Sequence, residues 1–336
     1  MKMNTNINSI LILSQRLVET AMRVAQRGSG SSLRVDGADL FSLKEGDISM
    51  KNMGYLGPKG SFSEEAVHLF LASQPEFNET PPALIPFPTI PRLLFACNNK
   101  EIDWAFVPLE NSTEGQVGVT MDTLGQTEHL FITHEFVHPI DQCLLTLEPM
   151  PLHQIERVYS HEQAIGQCRD FLEKHLPQAE QITCLSTADA AHKISSIREN
   201  WAAIGPRRAA QLYNLHLLQE RIQDIVLNAT RFVLVGHALA EMSGGEDKTS
   251  LLVIADNTPG SLYRILGEFG RRQINLSRIE SRPSKRKLGE YVFFVDVDGY
   301  VFAPPIQDVL WALKEANISV KLLGSYPKAH PDESIF

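Results

Sequence analysis

The sequence predicts an α/β protein with a larger domain of two lobes and a smaller domain of ferredoxin-like topology. From residue 53 onward, short apolar runs alternate with helical patterns, which is typical of an α/β domain. Two longer apolar runs, 130–137 and 142–147, are separated by His138 and Pro139 and indicate a crossing between two lobes. After a polar linker at 242–247, the elements follow the order βαββαβ. The predicted units are 1–52, 53–237 and 249–327.

Residues 1–52 differ from the rest of the chain and are expected to form an N-terminal extension of unknown role. Apolar residues recur at helical spacing over 10–27, and a Gly/Ser stretch at 28–32 ends that pattern. Many arginines and serines with few acids also describe an organellar transit peptide, but Glu19 interrupts the pattern. A dispensable extension, or a start particular to the expressed sequence, is the favoured interpretation.

Composition and charge exclude several classes of function. The 336 residues are 43% hydrophobic and 21% charged, which is ordinary for a soluble globular protein of two or three domains. A net charge of -9 argues against a nucleic-acid partner, because such proteins carry basic surfaces that neutralise phosphates. No apolar run reaches the roughly 18 residues of a membrane span. The four cysteines lack the spacing of a zinc site or a disulfide framework, so buried thiols in the cytoplasm are expected.

The first strand of the larger domain ends in a glycine-rich turn at 54–60. Its glycines have the spacing GxxGxxG, which is not the dinucleotide pattern, and Pro58 removes one amide from any phosphate cradle. Ser61 stands three residues before Glu64, an arrangement that caps a helix starting near Phe62. His134 and His138 are spaced like metal ligands, but Pro139 and the strand pattern disfavour that role. Neither a cofactor nor a metal is expected.

Polar residues with capping spacing follow several more of the buried strands. Asn111 precedes Glu114 by three residues after the apolar run 104–108, and Ser160 precedes Gln163 in the same way. In open α/β sheets the ligand lies beyond the carboxyl ends of the strands, where helix N-termini present free amides to anions. Each residue alone is explained by capping, but together they indicate a cleft for a small dianion. Ser186 and Thr187 also follow a predicted strand, and Gly205 with Pro206 follows the run 201–204, where proline is tolerated as a first helical residue.

The segment 228–232 is the strongest candidate for chemistry. It places the hydroxyl of Thr230 beside the guanidinium of Arg231 at the mouth of an apolar strand, with Phe232 next in the chain. This combination suits the acid-assisted loss of a hydroxyl group from a small anion. The alternative is that Thr230 simply fits a strand while Arg231 forms a surface ion pair.

Five motifs lie within residues 53 to about 326: GPKGSFS at 57–63, PLENS at 108–112, SHEQA at 160–164, IQD at 222–224 and NATRF at 228–232. In order and spacing they resemble those of the prephenate dehydratase family with a C-terminal ACT regulatory domain. The resemblance implies two lobes similar to periplasmic binding proteins, with the active site between them. Ser61, Glu162, the pair Gly205–Pro206 and Ser261 depart from the residues usual in the family, but none of these changes removes a group expected to act in the chemistry.

The activity implied by this resemblance is the decarboxylating dehydration of prephenate to phenylpyruvate in phenylalanine biosynthesis. Thr230 would be the catalytic residue, as a hydrogen-bond donor to the departing hydroxyl. Arg231 would fix a carboxylate if it points into the cleft, and sequence leaves its direction open. His161 is expected to be structural rather than catalytic. The residues expected to bind substrate are Ser61, Asn111, Ser112, Ser160, Gln163, Thr187, Asn228, Arg231 and Phe232.

The resemblance also implies that phenylalanine binds between two ACT domains and inhibits the enzyme, which would then be a homodimer or homotetramer. A glycine allows a ligand to approach the backbone, and a glutamate near an arginine suits the ends of an amino acid. The alternative is an ion pair on a sheet edge. The expected effector-binding residues are Asn257, Gly260, Ser261, Leu262, Glu280, Ser281, Arg282 and Pro283.

Other functions stay open at the level of sequence. Arogenate differs from prephenate only by an amino group in place of a keto group, so an arogenate dehydratase would need the same residues. A decarboxylase that keeps the ring non-aromatic is disfavoured by Thr230. The same two-lobed fold would also serve a non-catalytic amino-acid sensor.

Overall fold

The computed structural model describes residues 34–35, 38–39, 51–255, 257–284 and 290–329. The helix expected over 10–27 and the Gly/Ser stretch at 28–32 lie outside these residues. Strands β1 (Arg34–Val35) and β2 (Ala38–Asp39) pair with each other antiparallel. Within the described ranges, no helix is both long and apolar enough to cross a membrane.

Lobe 1 packs helices around a mixed sheet that contains residues 229–232. Strand β13 lies antiparallel between β5 and β7, while β3 lies parallel between β4 and β5. Successive apolar residues of β13 enter the cores on the two sides of the sheet in turn: Val233 and Val235 lie in one core, and Phe232 and Leu234 lie in the other. The elements of lobe 1 are β3 (Asn52–Leu56), α1 (Phe62–Ser73), a 3-10 turn (Pro75–Phe77), β4 (Ala83–Phe87), α2 (Ile90–Asn98), β5 (Trp104–Asn111), β6 (Gly115–Gln116), α3 (Gly118–Gln126), β7 (Phe131–Pro139) and β13 (Ala229–Gly236).

Lobe 2 is a second α/β unit inserted between β7 and β13. Its sheet has the order β10-β9-β11-β8-β12, and the helices between the strands cover it. The chain enters through residues 140–142 and returns after β12, as the split between the two apolar runs predicted. The elements are β8 (Cys143–Thr146), a 3-10 turn (Leu152–Gln154), β9 (Arg157–Ser160), α4 (Glu162–Gln167), α5 (Arg169–His175), β10 (Glu180–Thr183), α6 (Thr187–Ile194), β11 (Trp201–Gly205), α7 (Arg207–Tyr213) and β12 (His216–Gln219).

The C-terminal domain has the predicted βαββαβ order. Its four strands pair antiparallel in the order β15-β16-β14-β17, and both helices contribute to one apolar core. The prediction of a two-lobed α/β domain followed by a ferredoxin-like domain is confirmed. The elements are β14 (Asp247–Ala255), α8 (Ser261–Arg271), β15 (Leu276–Pro283), β16 (Tyr291–Asp298), α9 (Pro304–Glu315) and β17 (Ser319–Pro327).

The C-terminal domain joins lobe 1 edge to edge through β17 and β7. Gly324 pairs with Ile132, and a Cβ atom at Gly324 would lie 2.2 Å from the carbonyl oxygen of Ile132. A glycine is therefore required where the two backbones meet. Nearby, the buried ammonium of Lys321 donates to carbonyl oxygens at the end of α3, including that of Leu124 at 2.6 Å. Burial lowers the pKa of Lys321 to about 7.

Candidate active site

Three polar side chains form a row across lobe 1 where the chain crosses to lobe 2. Thr230 on β13 is the register partner of Asn111 on β5 and of His138 on β7. Directly paired residues of antiparallel strands project from the same face of a sheet, with neighbouring Cβ atoms about 5 Å apart. Strand register thus places an amide, a hydroxyl and an imidazole side by side on one face.

Asn111 fixes the hydroxyl of Thr230. Its side-chain nitrogen donates to Thr230 Oγ1 at 2.9 Å and to the carbonyl oxygen of Ala229 at 3.2 Å. Its side-chain oxygen accepts from the backbone nitrogens of Thr113 and Glu114 at 3.0 and 2.9 Å. These bonds leave the amide one orientation only. Thr230 Oγ1 is therefore an acceptor toward Asn111, which leaves its own proton available to another group.

The spacing of Asn111 and Glu114 belongs to a turn rather than to a helix start. After this turn the chain forms β6, and α3 begins at Gly118. The prediction that a helix follows Asn111 directly was wrong. The side chain serves the same backbone amides that a helix cap would serve, which is why the sequence pattern looked like a cap.

Hydrogen bonds of Asn228 and Ser112 join the chain that returns from lobe 2 to the same turn. Asn228 is buried; its side-chain oxygen accepts from Asn111, and its nitrogen donates to Oε1 of Gln167 in lobe 2 at 3.4 Å. The hydroxyl of Ser112 accepts from the backbone nitrogen of Ala229 at 2.9 Å. Gln167 was missed by the sequence analysis, although it lies one helical turn after Gln163 and so shares its face of α4.

His138 is a further polar residue of the row, and it was considered only as a metal ligand from sequence. It is 4% exposed, its Nε2 lies 3.3 Å from Oε2 of Glu65, and its Nδ1 has no hydrogen-bond partner among the described residues. The other oxygen of Glu65 accepts from the backbone nitrogen of Arg208 at 3.0 Å. Glu65, in the first turn of α1, therefore links the crossing strand to the start of α7 in lobe 2.

Side chains of the protein accept hydrogen bonds from backbone nitrogens at the N-terminus of α1. Ser61 is the predicted N-cap and accepts from the backbone nitrogen of Glu64 at 3.3 Å. The carboxylate of Glu64 accepts from the backbone nitrogen of Gly60 and lies 3.4 Å from a guanidinium nitrogen of Arg208. A second contact between lobes joins Tyr213 to the backbone oxygen of residue 59 at 3.4 Å. The two lobes are thus in contact through Arg208 and Tyr213 of lobe 2.

The predicted residues of lobe 2 have different environments. Ser160 is fully buried and donates to the carbonyl oxygen of Ile204 at 2.8 Å, so its hydroxyl ties β9 to β11. His161, rather than Ser160, is the N-cap of α4 and accepts from the backbone nitrogen of Gln163 at 3.3 Å. The side chain of Gln163 is exposed, and Thr187 is the half-buried first residue of α6, after its N-cap.

Phe232 lies in the core of lobe 1. Its ring stacks on Phe106 with centroids 5.1 Å apart and planes inclined by 7°, and it is 2% exposed. Thr230 and Phe232 share one face because they are two residues apart on a strand. Phe232 thus packs in the core on the same face of the sheet as Thr230 and is buried from the solvent.

Arg231 projects from the opposite face of β13. Its guanidinium donates to Glu135 at 2.7 Å, to Asp296 at 2.8 Å and to the phenolic oxygen of Tyr326 at 2.9 Å. Asp296 and Tyr326 belong to the C-terminal domain. Burial works against the charge of Arg231, but Tyr326, Asp296 and Glu135 outweigh it and raise the pKa of Arg231. The structure therefore directs this side chain toward the second domain rather than toward Thr230.

The predicted effector-binding residues fall into two groups. On β15, Glu280 accepts from Gln116 of lobe 1 at 2.8 Å, and Arg282 pairs with Asp122 of α3 at 2.8 Å. Ser281 and Pro283 alternate along β15 with Glu280 and Arg282, and both are exposed. Gly260 has φ of 80° at the N-cap of α8, which favours glycine. Asn257 is exposed in the preceding turn, while Ser261 and the partly buried Leu262 open α8.

Comparison with known proteins decides the family. The family model of prephenate dehydratase matches residues 53–239, more than half of the chain, and that of the ACT domain matches 249–300. The chain belongs to the prephenate dehydratase family. A bifunctional chorismate mutase/prephenate dehydratase of Aquifex aeolicus is 38% identical over 82% of this chain and 74% of its own.

Relatives that are named prephenate dehydratase alone, without chorismate mutase, agree with this assignment. The prephenate dehydratase of Amycolatopsis methanolica is 37% identical over 83% of this chain and 90% of its own. A prephenate dehydratase from Arthrobacter aurescens, solved in complex with L-Phe, superposes with a TM-score of 0.74 at 36% identity. That match covers 84% of this chain and 92% of the other. The resemblance inferred from the motifs is confirmed, and the C-terminal domain contains an ACT domain at residues 249–300.

Proposed function

We propose that this enzyme converts prephenate to phenylpyruvate, with loss of carbon dioxide and water, and that Thr230 is its catalytic residue. The observation that carries the role of Thr230 is the bond from Asn111, which makes Oγ1 an acceptor at 2.9 Å and frees its proton for the substrate. Family membership supports the choice of reaction. The position of Thr230 at the crossing between the lobes supports the choice of residue.

The reaction requires a donor at the departing oxygen. The bond between the ring and its carboxylate breaks, its electron pair enters the ring, and the carbon–oxygen bond breaks with its electrons on oxygen. A proton taken up from the solvent must reach that oxygen for water to leave. The pKa of a threonine hydroxyl is too high for it to act as a free acid, so Thr230 contributes a hydrogen bond that strengthens as charge develops. Aromatisation of the ring supplies the driving force.

Binding of the two carboxylates is assigned to the neighbourhood of the cleft. Asn111, Ser112 and Asn228 surround Thr230, and Gln163 with Thr187 belongs to the helix starts of lobe 2. Hydroxyl, amide and backbone N–H groups bind carboxylates without positive side chains, which suits a protein of net charge -9. Ser61 would contribute through the start of α1, which it caps, and the buried Ser160 by holding β9, the strand that precedes α4, against β11.

Incubation of the full chain with prephenate tests the function. Phenylpyruvate should accumulate and be detected in alkali by the absorbance of its enol. Competition between prephenate and arogenate at equal concentration will measure the preference for the keto or the amino substrate. Absence of phenylpyruvate, with arogenate unconverted as well, would refute the proposed reaction.

Phenylalanine is proposed as the inhibitor, bound through the ACT domains of two subunits. The relative from Arthrobacter aurescens was solved with L-Phe, and this chain has exposed Ser281 and Pro283 near the edge of its ACT sheet. Gly260, Ser261 and Leu262 would line the same site, with Asn257. Titration of phenylalanine should lower the rate and shift the dimer–tetramer balance in light scattering. Constant rate and constant size would refute the regulation.

The cytoplasm is the proposed location. Among the described residues all four cysteines are free, and burial raises the pKa of the Cys97 and Cys143 thiols to about 12. Unreactive buried thiols are compatible with a reducing compartment.

A further inference from the structure

The partners of Arg231 give this residue a role that differs from substrate binding. Arg231 follows Thr230 directly, so its backbone and that of Thr230 move together on β13. Because strand residues alternate between faces, a side chain bound from behind the sheet fixes the strand without entering the cleft. Three acceptors hold the guanidinium, and Asp296 and Tyr326 are supplied by the ACT domain.

These acceptors form a continuous buried network. The hydroxyl of Ser250 donates to Asp296 Oδ1 at 2.6 Å and lies 2.6 Å from the phenolic oxygen of Tyr326. On the lobe 1 side, Lys248 of the ACT domain donates to both oxygens of Glu135, at 2.8 and 2.9 Å. Ser250, Asp296 and Tyr326 are each at most 4% exposed. Removal of one partner would leave buried charges unpaired, which is costly.

A second contact with the ACT domain supports the turn that holds Asn111. Gln116 of β6 donates to Glu280 of the ACT domain at 2.8 Å and is the register partner of Glu110 on β5. The residue after Glu110 is Asn111, the donor to Thr230. Both supports of Thr230, the strand carrying Arg231 and the turn carrying Asn111, are therefore anchored on the ACT domain.

We propose that Arg231 is a positioning residue for Thr230, and that the ACT domain completes the active site by holding its guanidinium through Asp296 and Tyr326. The ACT domain thus acts on the reaction through β13 even without an effector. This inference rests on the proposed function. A displacement of about 1 Å at a catalytic group lowers turnover by about a hundredfold, so a modest loosening of β13 is enough to be measured.

Tyr326→Phe with Tyr300→Phe as its matched control tests the proposal. Both tyrosines are buried and hydrogen-bonded, but the phenol of Tyr300 donates to the carbonyl oxygen of Ala240 at 2.8 Å and does not contact Arg231. We expect Tyr326→Phe to lower kcat about tenfold with KM within twofold, because the lost contact affects placement rather than affinity. Tyr300→Phe should keep both constants within twofold.

Asp296→Asn is the second variant, because it keeps the shape of the side chain and removes its charge. We expect kcat to fall at least as far as in Tyr326→Phe. Equal loss in Tyr326→Phe and Tyr300→Phe would overturn the proposal, as would normal kcat in both Tyr326→Phe and Asp296→Asn. A raised KM with unchanged kcat would also overturn it, since Arg231 would then act in binding.

Hydrogen exchange separates this inference from the proposed function. The peptide covering 228–236 should exchange faster in Tyr326→Phe than in the parent and in Tyr300→Phe, whatever substrate the enzyme uses. Unchanged exchange in that peptide would overturn the positioning role. Failure of the parent to convert prephenate would refute the function alone.

Discussion

Replacement of Asn111 by aspartate should lower turnover by reversing the hydrogen bond to Thr230. The side-chain nitrogen of Asn111 donates to Thr230 Oγ1, to Asn228 Oδ1 and to the carbonyl oxygen of Ala229, at 2.9, 3.0 and 3.2 Å. A carboxylate oxygen at the same place accepts instead, so the Thr230 proton turns toward it and away from the substrate. The other oxygen still accepts from the backbone nitrogen of Thr113, while the first oxygen also faces the acceptors Asn228 Oδ1 and the carbonyl of Ala229.

The magnitude follows from the loss of one preorganised donor. Removal of such a donor typically lowers kcat by about 10²- to 10³-fold. Because the interaction with the departing oxygen strengthens only in the transition state, kcat and kcat/KM should fall together in Asn111→Asp, as measured by phenylpyruvate formation. Thr113→Val is the control: it removes a 2.7 Å bond to the oxygen of Asn111 and leaves the donor to Thr230 in place. Turnover by Asn111→Asp within twofold of the parent would refute this account of Thr230.

Two further predictions concern the joint between the domains. Gly324→Ala should push β17 away from β7, because its Cβ would lie 2.2 Å from the oxygen of Ile132; we expect a Tm lower by at least about 4 °C in calorimetry, and an unchanged Tm would contradict the close approach. Acid should weaken the same joint: burial raises the pKa of Asp296, but Arg231 with its neighbours outweighs this and leaves it below its ordinary value. The ionised pair therefore stabilises the fold above about pH 4 and is lost as pH falls further. The free energy of unfolding of Asp296→Asn, from urea titrations, should differ most from the parent above that pH and converge below it; a constant difference would contradict the pairing.

The sequence predicted local features well because they depend on neighbouring residues. The predicted order βαββαβ places a helix after the first strand of the second domain, and α8 is observed there over Ser261–Arg271, with Gly260 at its start. The capping role of Ser61 was also predicted and is observed. The order of elements along the second domain, βαββαβ, was predicted and is observed as well.

The direction of Arg231 illustrates what a local pattern leaves open. Strand alternation puts Arg231 on the face opposite to Thr230, but sequence alone does not show which face meets the cleft. That depends on Asp296 and Tyr326, which are distant in the chain. His138 was missed for the same reason, because its place beside Thr230 follows from strand register and not from spacing.

The most direct test of the account is a comparison of Thr230→Ala and Thr230→Ser with prephenate as substrate. Serine keeps the hydroxyl that accepts from Asn111 and donates to the departing oxygen, whereas alanine removes it. We expect Thr230→Ser to retain at least about a tenth of the parent kcat, and Thr230→Ala to lose about 10²- to 10³-fold, with KM within threefold in both. Turnover by a folded Thr230→Ala enzyme at the parent rate would contradict the central claim.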